Sequence, residues 1–387
     1  MVKVMASNIK FTLVGGYGHG NLGDDALMLA TVSVLSQRVR RDDITILIRQ
    51  PAPKLDYVLR FVPGCNVTHS LPGEAIQCEN IVYGGGTLFF AFPGIKKSFF
   101  QRTKEVATTC ATAPGHVARR VFIERLRSQS YPNISANHSF GLGIGLGPFV
   151  NGDHKSLDAR AALQECEYLS VRDRFSESLC HKWGIEHAIQ RADLCFCPDL
   201  WGITNHKPAS QNGRLRHIGV VVREWKHTKV GASYKRPLKQ AVSKLRRGGY
   251  DIKYILFQRE PNWEAELCET GDGVLNYSLQ RSSVPDFVEA LRQFDLIITA
   301  RAHGAILAAT LGIPSVCIEI EPKLNYVCES LKGGSRLWHQ PFDEKELVDI
   351  VAEISGKLHG YCEQVQLAAR TNRDLAELSV SEFLSIL

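Results

Sequence analysis

Short apolar runs alternate with amphipathic segments along most of the chain. Short runs that are mostly apolar are typical of strands buried on both faces. The segments between them have helical periodicity. This order predicts an α/β fold built on parallel sheets. Strands are predicted at 9–14, 44–48, 81–83, 141–146, 168–171, 218–222, 253–257, 296–299 and 316–318, and helices at 25–37, 174–182, 287–291, 303–311 and within 344–387.

A polar, turn-rich stretch at 204–214 interrupts this alternation and is predicted to be a linker. We therefore expect one doubly wound domain at 1–207, a second at 208–356, and a cleft between them. The last segment, 357–387, is predicted to be a helix that packs back on the first domain.

Composition limits the class of protein. The chain has 387 residues with 44% hydrophobic and 22% charged positions, which is ordinary for a globular protein with two domains. No apolar run approaches the length of a membrane helix, and residues 1–10 lack a secretory signal, so we expect a cytoplasmic protein. Eleven scattered cysteines without CxxC pairs fit reduced, buried thiols. A net charge of +6 suits small anions or transient contact with an acidic membrane surface, and no nucleic-acid motif is present.

The most informative polar cluster lies near the end of the second domain. Arg301 and His303 follow a predicted buried strand and begin a helix, and Lys323 follows the next strand. Helix N-termini at the carboxyl edge of a parallel sheet attract phosphate and carboxylate groups. A histidine side chain such as that of His303 can donate a proton. No carboxylate or second histidine stands at ligand spacing around His303, so metal binding is not expected.

A glycine-rich turn at residues 18–23 satisfies the pattern GxGxxG between a strand and a helix. Three interpretations remain open. Asp24 caps the helix, or it binds or deprotonates an acceptor, or the turn binds NADP with Arg49 at the 2′-phosphate.

Three other strand ends carry candidate residues. Residues 84–87 are predicted to form a glycine loop whose amides bind oxygens. Arg172 either pairs with Asp173 or faces the cleft. Arg223 either binds a ligand or pairs with Glu224.

Taken together, these ordered motifs resemble the polysaccharide pyruvyl transferase family. The motifs that carry the resemblance are residues 16–26, the triple glycine at 84–86, Arg172-Asp173 with Ser176, Arg301-Ala302-His303-Gly304 and Pro322-Lys323. The resemblance implies a GT-B-like architecture of two Rossmann-like domains. It also implies transfer of pyruvate from phosphoenolpyruvate to a sugar, commonly as a ketal across two hydroxyls. The acceptor would belong to a polysaccharide or a lipid-linked precursor.

The resemblance also implies roles for individual residues. His303 would be the proton donor, and Asp24 would orient or deprotonate the acceptor. The carboxylate and phosphate of the donor would be held by cations, and other residues of the motifs would complete the substrate site. The predicted substrate-binding residues are Arg223, Arg301, Lys323, Gly304, Arg172, Asn21, Gly85 and Gly86. The reaction requires no redox cofactor, and the resemblance implies no metal.

The sequence departs from the family pattern at Ala302, at Asp193 with Pro198-Asp199, and in the acidic loop 319–321. Two further hypotheses remain. One is a GT-B glycosyltransferase that uses a nucleotide sugar, and the other is a sugar-binding or assembly subunit without turnover.

Overall fold

A computed structural model describes residues 4–48, 55–69, 75–92, 133–149, 154–203, 213–278 and 282–387. Two parallel sheets organise these residues. The first contains seven strands in the order β3-β2-β1-β4-β5-β6-β7, and the second contains six in the order β10-β9-β8-β11-β12-β13. The predicted α/β class with two doubly wound sheets is confirmed.

The first sheet is formed by β1 (Val4–Val14), β2 (Ile44–Ile48), β3 (Asn66–His69), β4 (Ala75–Phe89), β5 (Asn133–Leu146), β6 (Cys166–Val171) and β7 (Ile189–Gln190). Its connections include α1 (Leu22–Leu35), α2 (Leu55–Phe61), α3 (His154–Gln164) and α4 (Arg174–Lys182). Leu13 and Val14 are adjacent in β1, are both fully buried, and belong to separate core clusters. The sheet therefore packs against other elements on both faces, as the continuous apolar runs predict.

The second sheet is formed by β8 (His217–Val221), β9 (Asp251–Leu256), β10 (Val274–Asn276), β11 (Leu296–Thr299), β12 (Ser315–Ile318) and β13 (Ser335–Trp338). Its helices are α5 (Lys229–Ala232), α6 (Lys235–Arg247), α7 (Pro261–Thr270), α8 (Val284–Glu289), α9 (Ala302–Thr310), α10 (Pro322–Ser330) and α11 (Glu344–Gly356). In each sheet the strand order reverses between two central strands, β1 and β4 or β8 and β11. Such reversals open a crevice beyond the carboxyl ends of the strands.

The last helix, α12 (Leu358–Ile386), contacts both halves of the molecule. The Tyr168 hydroxyl, on β6, donates to the Ser379 backbone carbonyl at 3.1 Å. The Asn372 side-chain amide donates to the Ser330 carbonyl, in α10, at 3.0 Å. Within the described residues no helix is both long and apolar enough to span a bilayer. The domain limits at 207 and 356 remain predictions.

Several element bounds correct the sequence prediction. The triple glycine does not follow its strand but lies inside β4, where Gly85 and Gly86 have φ values of 71° and 74°. Positive φ is accessible to glycine without a steric penalty, which lets the strand continue through a local distortion. Helix α1 begins at Leu22, three residues before its predicted start. Arg49 and most of the predicted linker, 204–212, lie outside the described residues.

Candidate active site

A cleft of about 290 Å³ lies between the two sheets. It contains every predicted site residue except Gly304. These lining residues are Asn21, Asp24, Gly85, Gly86, Arg172, Arg223, Arg301, His303 and Lys323. Residues separated by more than 300 positions in the sequence thus meet at one site, as expected when the carboxyl edges of two parallel sheets face each other.

Helix α9 places Arg301 and His303 in the cleft. Arg301 is the N-cap residue and has no side-chain capping bond. Thr299 fixes this turn, since its hydroxyl accepts from the Arg301 amide at 2.9 Å and donates to the Arg301 carbonyl at 2.7 Å. Gly304 is not among the residues that line the cleft. A Cβ atom at this position would stand 2.1 Å from the Thr299 hydroxyl oxygen. The close contact requires glycine at this position for packing, and the part of Gly304 in substrate binding stays a prediction.

The His303 ring is enclosed by the first domain. Its Nε2 lies 3.5 Å from Asp193 Oδ2, and its side chain is 13% exposed. A Cβ atom on Gly23, in the first turn of α1, would stand 2.1 Å from His303 Nδ1. The glycine therefore leaves the space that the imidazole occupies, and α1 fixes the ring position.

Asp193 lies between His303 and Arg172 and contacts both side chains. Its Oδ2 accepts from the Arg172 guanidinium at 2.9 Å, and its Oδ1 accepts from the Cys195 amide at 3.0 Å. Burial alone would raise the pKa of Asp193, but His303 and Arg172 outweigh burial and hold it well below its usual range. Asp193 is therefore a carboxylate at working pH.

Asp193, Cys195 and His303 present ligand atoms within 4.8 Å of one another, although no carboxylate stands near His303 in the sequence. The fold thus brings to His303 two possible ligands that its sequence neighbours do not supply, and the expected absence of a metal stays a prediction. Arg172 already neutralises the carboxylate. Burial and Asp193 raise the pKa of the Cys195 thiol well above its usual value.

The other cations of the cleft are each held by a buried carboxylate. Arg301 pairs with Glu260, which is only 3% exposed. Arg223 pairs with Glu321, not with its neighbour Glu224. Lys323 Nζ binds the same Glu321 oxygen at 2.9 Å. Because two cations share one carboxylate, the Arg223–Lys323 side of the cleft has an excess of positive charge.

This arrangement gives a role to one carboxylate of the acidic loop at 319–321. Glu321 is a fixed counterion, and its side chain is 1% exposed. Burial would raise the pKa of Glu321, but Lys323 and Arg223 together keep it below its ordinary value. For Lys323, burial is the largest effect and, with the charge of Arg223, lowers the pKa to about 8 although Glu321 opposes the shift.

The first domain supplies the opposite wall. Asn21, not Asp24, is the N-cap of α1, and its side chain accepts from the Gly23 amide at 3.4 Å. Asp24 is the third helical residue, and its Oδ2 accepts from the Asn21 side-chain amide at 2.7 Å. The interpretation of Asp24 as the helix cap is therefore wrong. A carboxylate in the first turn is still stabilised by the helix dipole.

Direct contacts between the halves hold these walls together. The Leu22 amide donates to the Phe257 carbonyl at 2.9 Å. The Tyr277 hydroxyl, after β10, donates to Asp25 Oδ2 at 3.0 Å. Burial raises the pKa of Asp25 to about 8, so this carboxyl is largely protonated at neutral pH and adds little charge to the cleft.

Sequence reasoning missed Gly23, Glu260 and the linkage of Asp193 to His303. Gly23 is the third glycine of the GxGxxG pattern, so a signal existed, but none of the three interpretations of that turn placed Gly23 against His303. Glu260 and Asp193 are far from their partners in the chain. No local pattern connects them.

Two doubly wound sheets with a basic cleft between them define a GT-B-like protein. The N. meningitidis UDP-GlcNAc 2-epimerase bound to UDP-GlcNAc is similar, with a TM-score of 0.56 and 10% identity over 98% of this chain and 100% of that one. The S. aureus MnaA–UDP co-structure has a TM-score of 0.54 and 11% identity over 99% and 95%. Anabaena Alr3699/HepE with UDP and glucose has a TM-score of 0.53 and 13% identity over 98% and 100%.

At these identities the similarity establishes the fold alone. The family model for polysaccharide pyruvyl transferases matches residues 21–322. The chain therefore belongs to the polysaccharide pyruvyl transferase family and is a transferase of that kind. A comparison with curated proteins finds no match.

Proposed function

We propose that the protein transfers pyruvate from phosphoenolpyruvate to two hydroxyls of a sugar, forming a ketal and releasing phosphate. The observation that carries this proposal is the pair Arg223 and Lys323 on one buried carboxylate, in the same cleft as His303. A donor with a phosphate and a carboxylate needs fixed cations, and their excess charge matches such an anion.

The proposed transfer begins with proton donation by His303 and ends with closure of the ketal. Protonated His303 transfers its proton to the methylene carbon of the donor, and positive charge develops at the carbon that carries phosphate. One sugar hydroxyl attacks that carbon and loses its proton. The second hydroxyl then displaces phosphate and closes the ketal. The proton of the first hydroxyl passes through a base to the leaving phosphate, and the proton of the second hydroxyl restores His303.

Asp24 is the candidate base for the first hydroxyl. It faces the cleft from the first domain, while the cations come largely from the second. Its bond to Asn21 fixes one carboxylate oxygen. A positioned carboxylate can accept a hydroxyl proton as the carbon–oxygen bond forms. The acceptor would then approach along the α1 side, whether it is a polysaccharide or a lipid-linked precursor. A cytoplasmic location, with or without membrane-surface contact, remains a prediction.

The alternative is a glycosyltransferase that uses a nucleotide sugar. What favours it is the fold, because the structures similar to this chain include complexes with UDP or UDP-GlcNAc. Thermal unfolding with added ligand separates the two, since a ligand that binds the native state raises the unfolding temperature. We expect phosphoenolpyruvate to raise it and UDP or UDP-sugars to leave it unchanged. Stabilisation by UDP alone would favour the alternative.

Donor binding should weaken above pH 8 if Lys323 binds the anion. The free protein holds the pKa of Lys323 near 8, so the cation is lost as pH rises through that value. A bound anion favours the protonated amine, and the dissociation constant for phosphoenolpyruvate should rise by up to about tenfold per pH unit above it. Calorimetric titration from pH 7 to 9.5 measures this without depending on turnover.

The matched control is Lys323→Arg, because a guanidinium stays charged throughout this range. That variant should bind the donor with an affinity that changes little between pH 7 and 9.5. A wild-type affinity that is equally flat would mean that Lys323 does not hold the donor.

A further inference from the structure

An aromatic surface continues the cleft beyond its cations. Phe90 and Phe92 follow β4, and both line the cleft with Arg223 and His303. The two rings are tilted with centroids 5.1 Å apart. Phe90 is 38% exposed, so its ring contributes apolar surface to the cleft instead of to the core.

Side chains of the second domain pack against this aromatic surface. The Phe92 ring stacks on His227 at 4.3 Å with an interplanar angle of 28°. It also meets the Trp225 ring edge-on at 5.0 Å. The Arg223 guanidinium lies 4.9 Å from the Trp225 ring centroid. A continuous chain of contacts therefore runs from the exposed Phe90 ring to a cation of the proposed donor site.

The proposed donor does not account for this surface. Phosphoenolpyruvate is small and carries charge at both ends, so it has no broad apolar face for two phenyl rings. A pyranose does have one, because several ring C–H bonds point to the same side while its hydroxyls point outward. Aromatic rings carry negative charge on their faces and attract such weakly positive C–H groups.

We infer that Phe90 and Phe92 form the acceptor subsite, which takes the C–H face of a pyranose and turns its hydroxyl pair toward His303 and Asp24. This inference rests on the proposed function for its substrate class. Phe92 is fixed between the two domains by Trp225 and His227, so it sets the position of the subsite relative to the donor cations. Phe90 supplies the accessible ring.

The test replaces Phe90 by alanine and by leucine and measures phosphate release with a panel of galactose, glucose and N-acetylmannosamine glycosides. For Phe90→Ala we expect the acceptor KM to rise about tenfold, with an unchanged dissociation constant for phosphoenolpyruvate. Phe90→Leu keeps apolar area but removes the ring face, so it should also raise the acceptor KM. Phe90→Tyr keeps the face and should retain the wild-type value.

Phe175 provides a matched control. It is 37% exposed, stacks on Tyr326 at 5.0 Å, and is not among the residues that line the cleft. Phe175→Ala should leave the acceptor KM unchanged. An unchanged acceptor KM in Phe90→Ala, in an enzyme that turns over normally, would overturn the subsite and leave the proposed function intact.

If the wild type releases no phosphate, a binding measurement still tests the acceptor subsite separately from the proposed function. Saturation-transfer NMR with the same glycosides reports acceptor contact without the donor. Contact that is present in the wild type and lost in Phe90→Ala would support the subsite even if the donor assignment failed. Equal contact in both proteins, or none in the wild type, would overturn the subsite.

Discussion

Replacing His303 by glutamine is expected to lower turnover by a factor of about 10²–10⁴, the usual contribution of a positioned general acid. Glutamine fills similar space and forms hydrogen bonds but cannot transfer a proton near neutral pH. Arg223, Arg301 and Lys323 retain their carboxylate partners, so donor binding should persist. Steady-state phosphate release gives kcat, and calorimetry gives the donor dissociation constant.

A suitable control is His217→Gln. His217 is the first residue of β8 and pairs with Asp251 at 2.9 Å. This pair lies at the amino ends of the strands, whereas the cleft lies beyond their carboxyl ends. Turnover in this variant should match the wild type. If His303→Gln also turned over at the wild-type rate, another group would have to protonate the donor.

Replacing Gly23 by alanine should reduce turnover by about 10²-fold, although glycine itself has no chemistry. The added Cβ would stand 2.1 Å from His303 Nδ1 and 2.4 Å from Cγ, so the imidazole has to move. Displacement of a catalytic group by about 1 Å can cost that much in rate. The added Cβ would also stand 2.8 Å from His303 Cβ, an atom held close to the backbone. We therefore expect overpacking to cost about 1–3 kcal/mol of stability, more than the roughly 0.5–1 kcal/mol by which alanine is favoured over glycine within a helix.

Gly360→Ala is the matched control, since Gly360 lies in α12 and a Cβ there would meet no atom within 4 Å. It should leave turnover unchanged. Gly23→Ala and Gly360→Ala with equal, wild-type turnover would show that the fixed position of His303 is not required. Denaturant unfolding of both variants separates loss of the fold from loss of geometry.

The sequence predicts the architecture well because buried parallel strands have a strong local signal. The strand at 296–299 and the helix at 174–182 have the bounds predicted from their apolar and polar patterns. The triple glycine was less predictable. Its composition indicates a loop, but pairing with β5 keeps it within β4. Tertiary pairing here outweighs local preference.

The sequence indicated the cations of the candidate site, but it did not indicate the carboxylates that pair with them. Arg223, Arg301 and Lys323 stand at strand ends, where position in the fold can be inferred from local pattern. Their counterions, Glu260 and Glu321, are buried, and only the folded chain brings Glu260 to Arg301. The sequence therefore indicates which charges are present, but not how much of that charge the protein itself neutralises.

Balanced charge also explains why the cleft can keep several cations together. Unpaired, neighbouring guanidinium and ammonium groups would repel each other in a partly buried site. Asp193, Glu260 and Glu321 offset this repulsion, and the excess remains beside Lys323. An arriving anion then meets preorganised donors that need little rearrangement.

Pyruvyl transfer is measured by incubating the protein with phosphoenolpyruvate and the glycoside panel while phosphate release and product mass are followed together. We predict phosphate release only with a suitable glycoside, in equal amount to a product that carries one added pyruvyl ketal, and loss of both signals in His303→Gln. Sugar transfer from a UDP-sugar to the same glycosides, with phosphoenolpyruvate left unconsumed, would show that the protein is a glycosyltransferase and not a pyruvyl transferase.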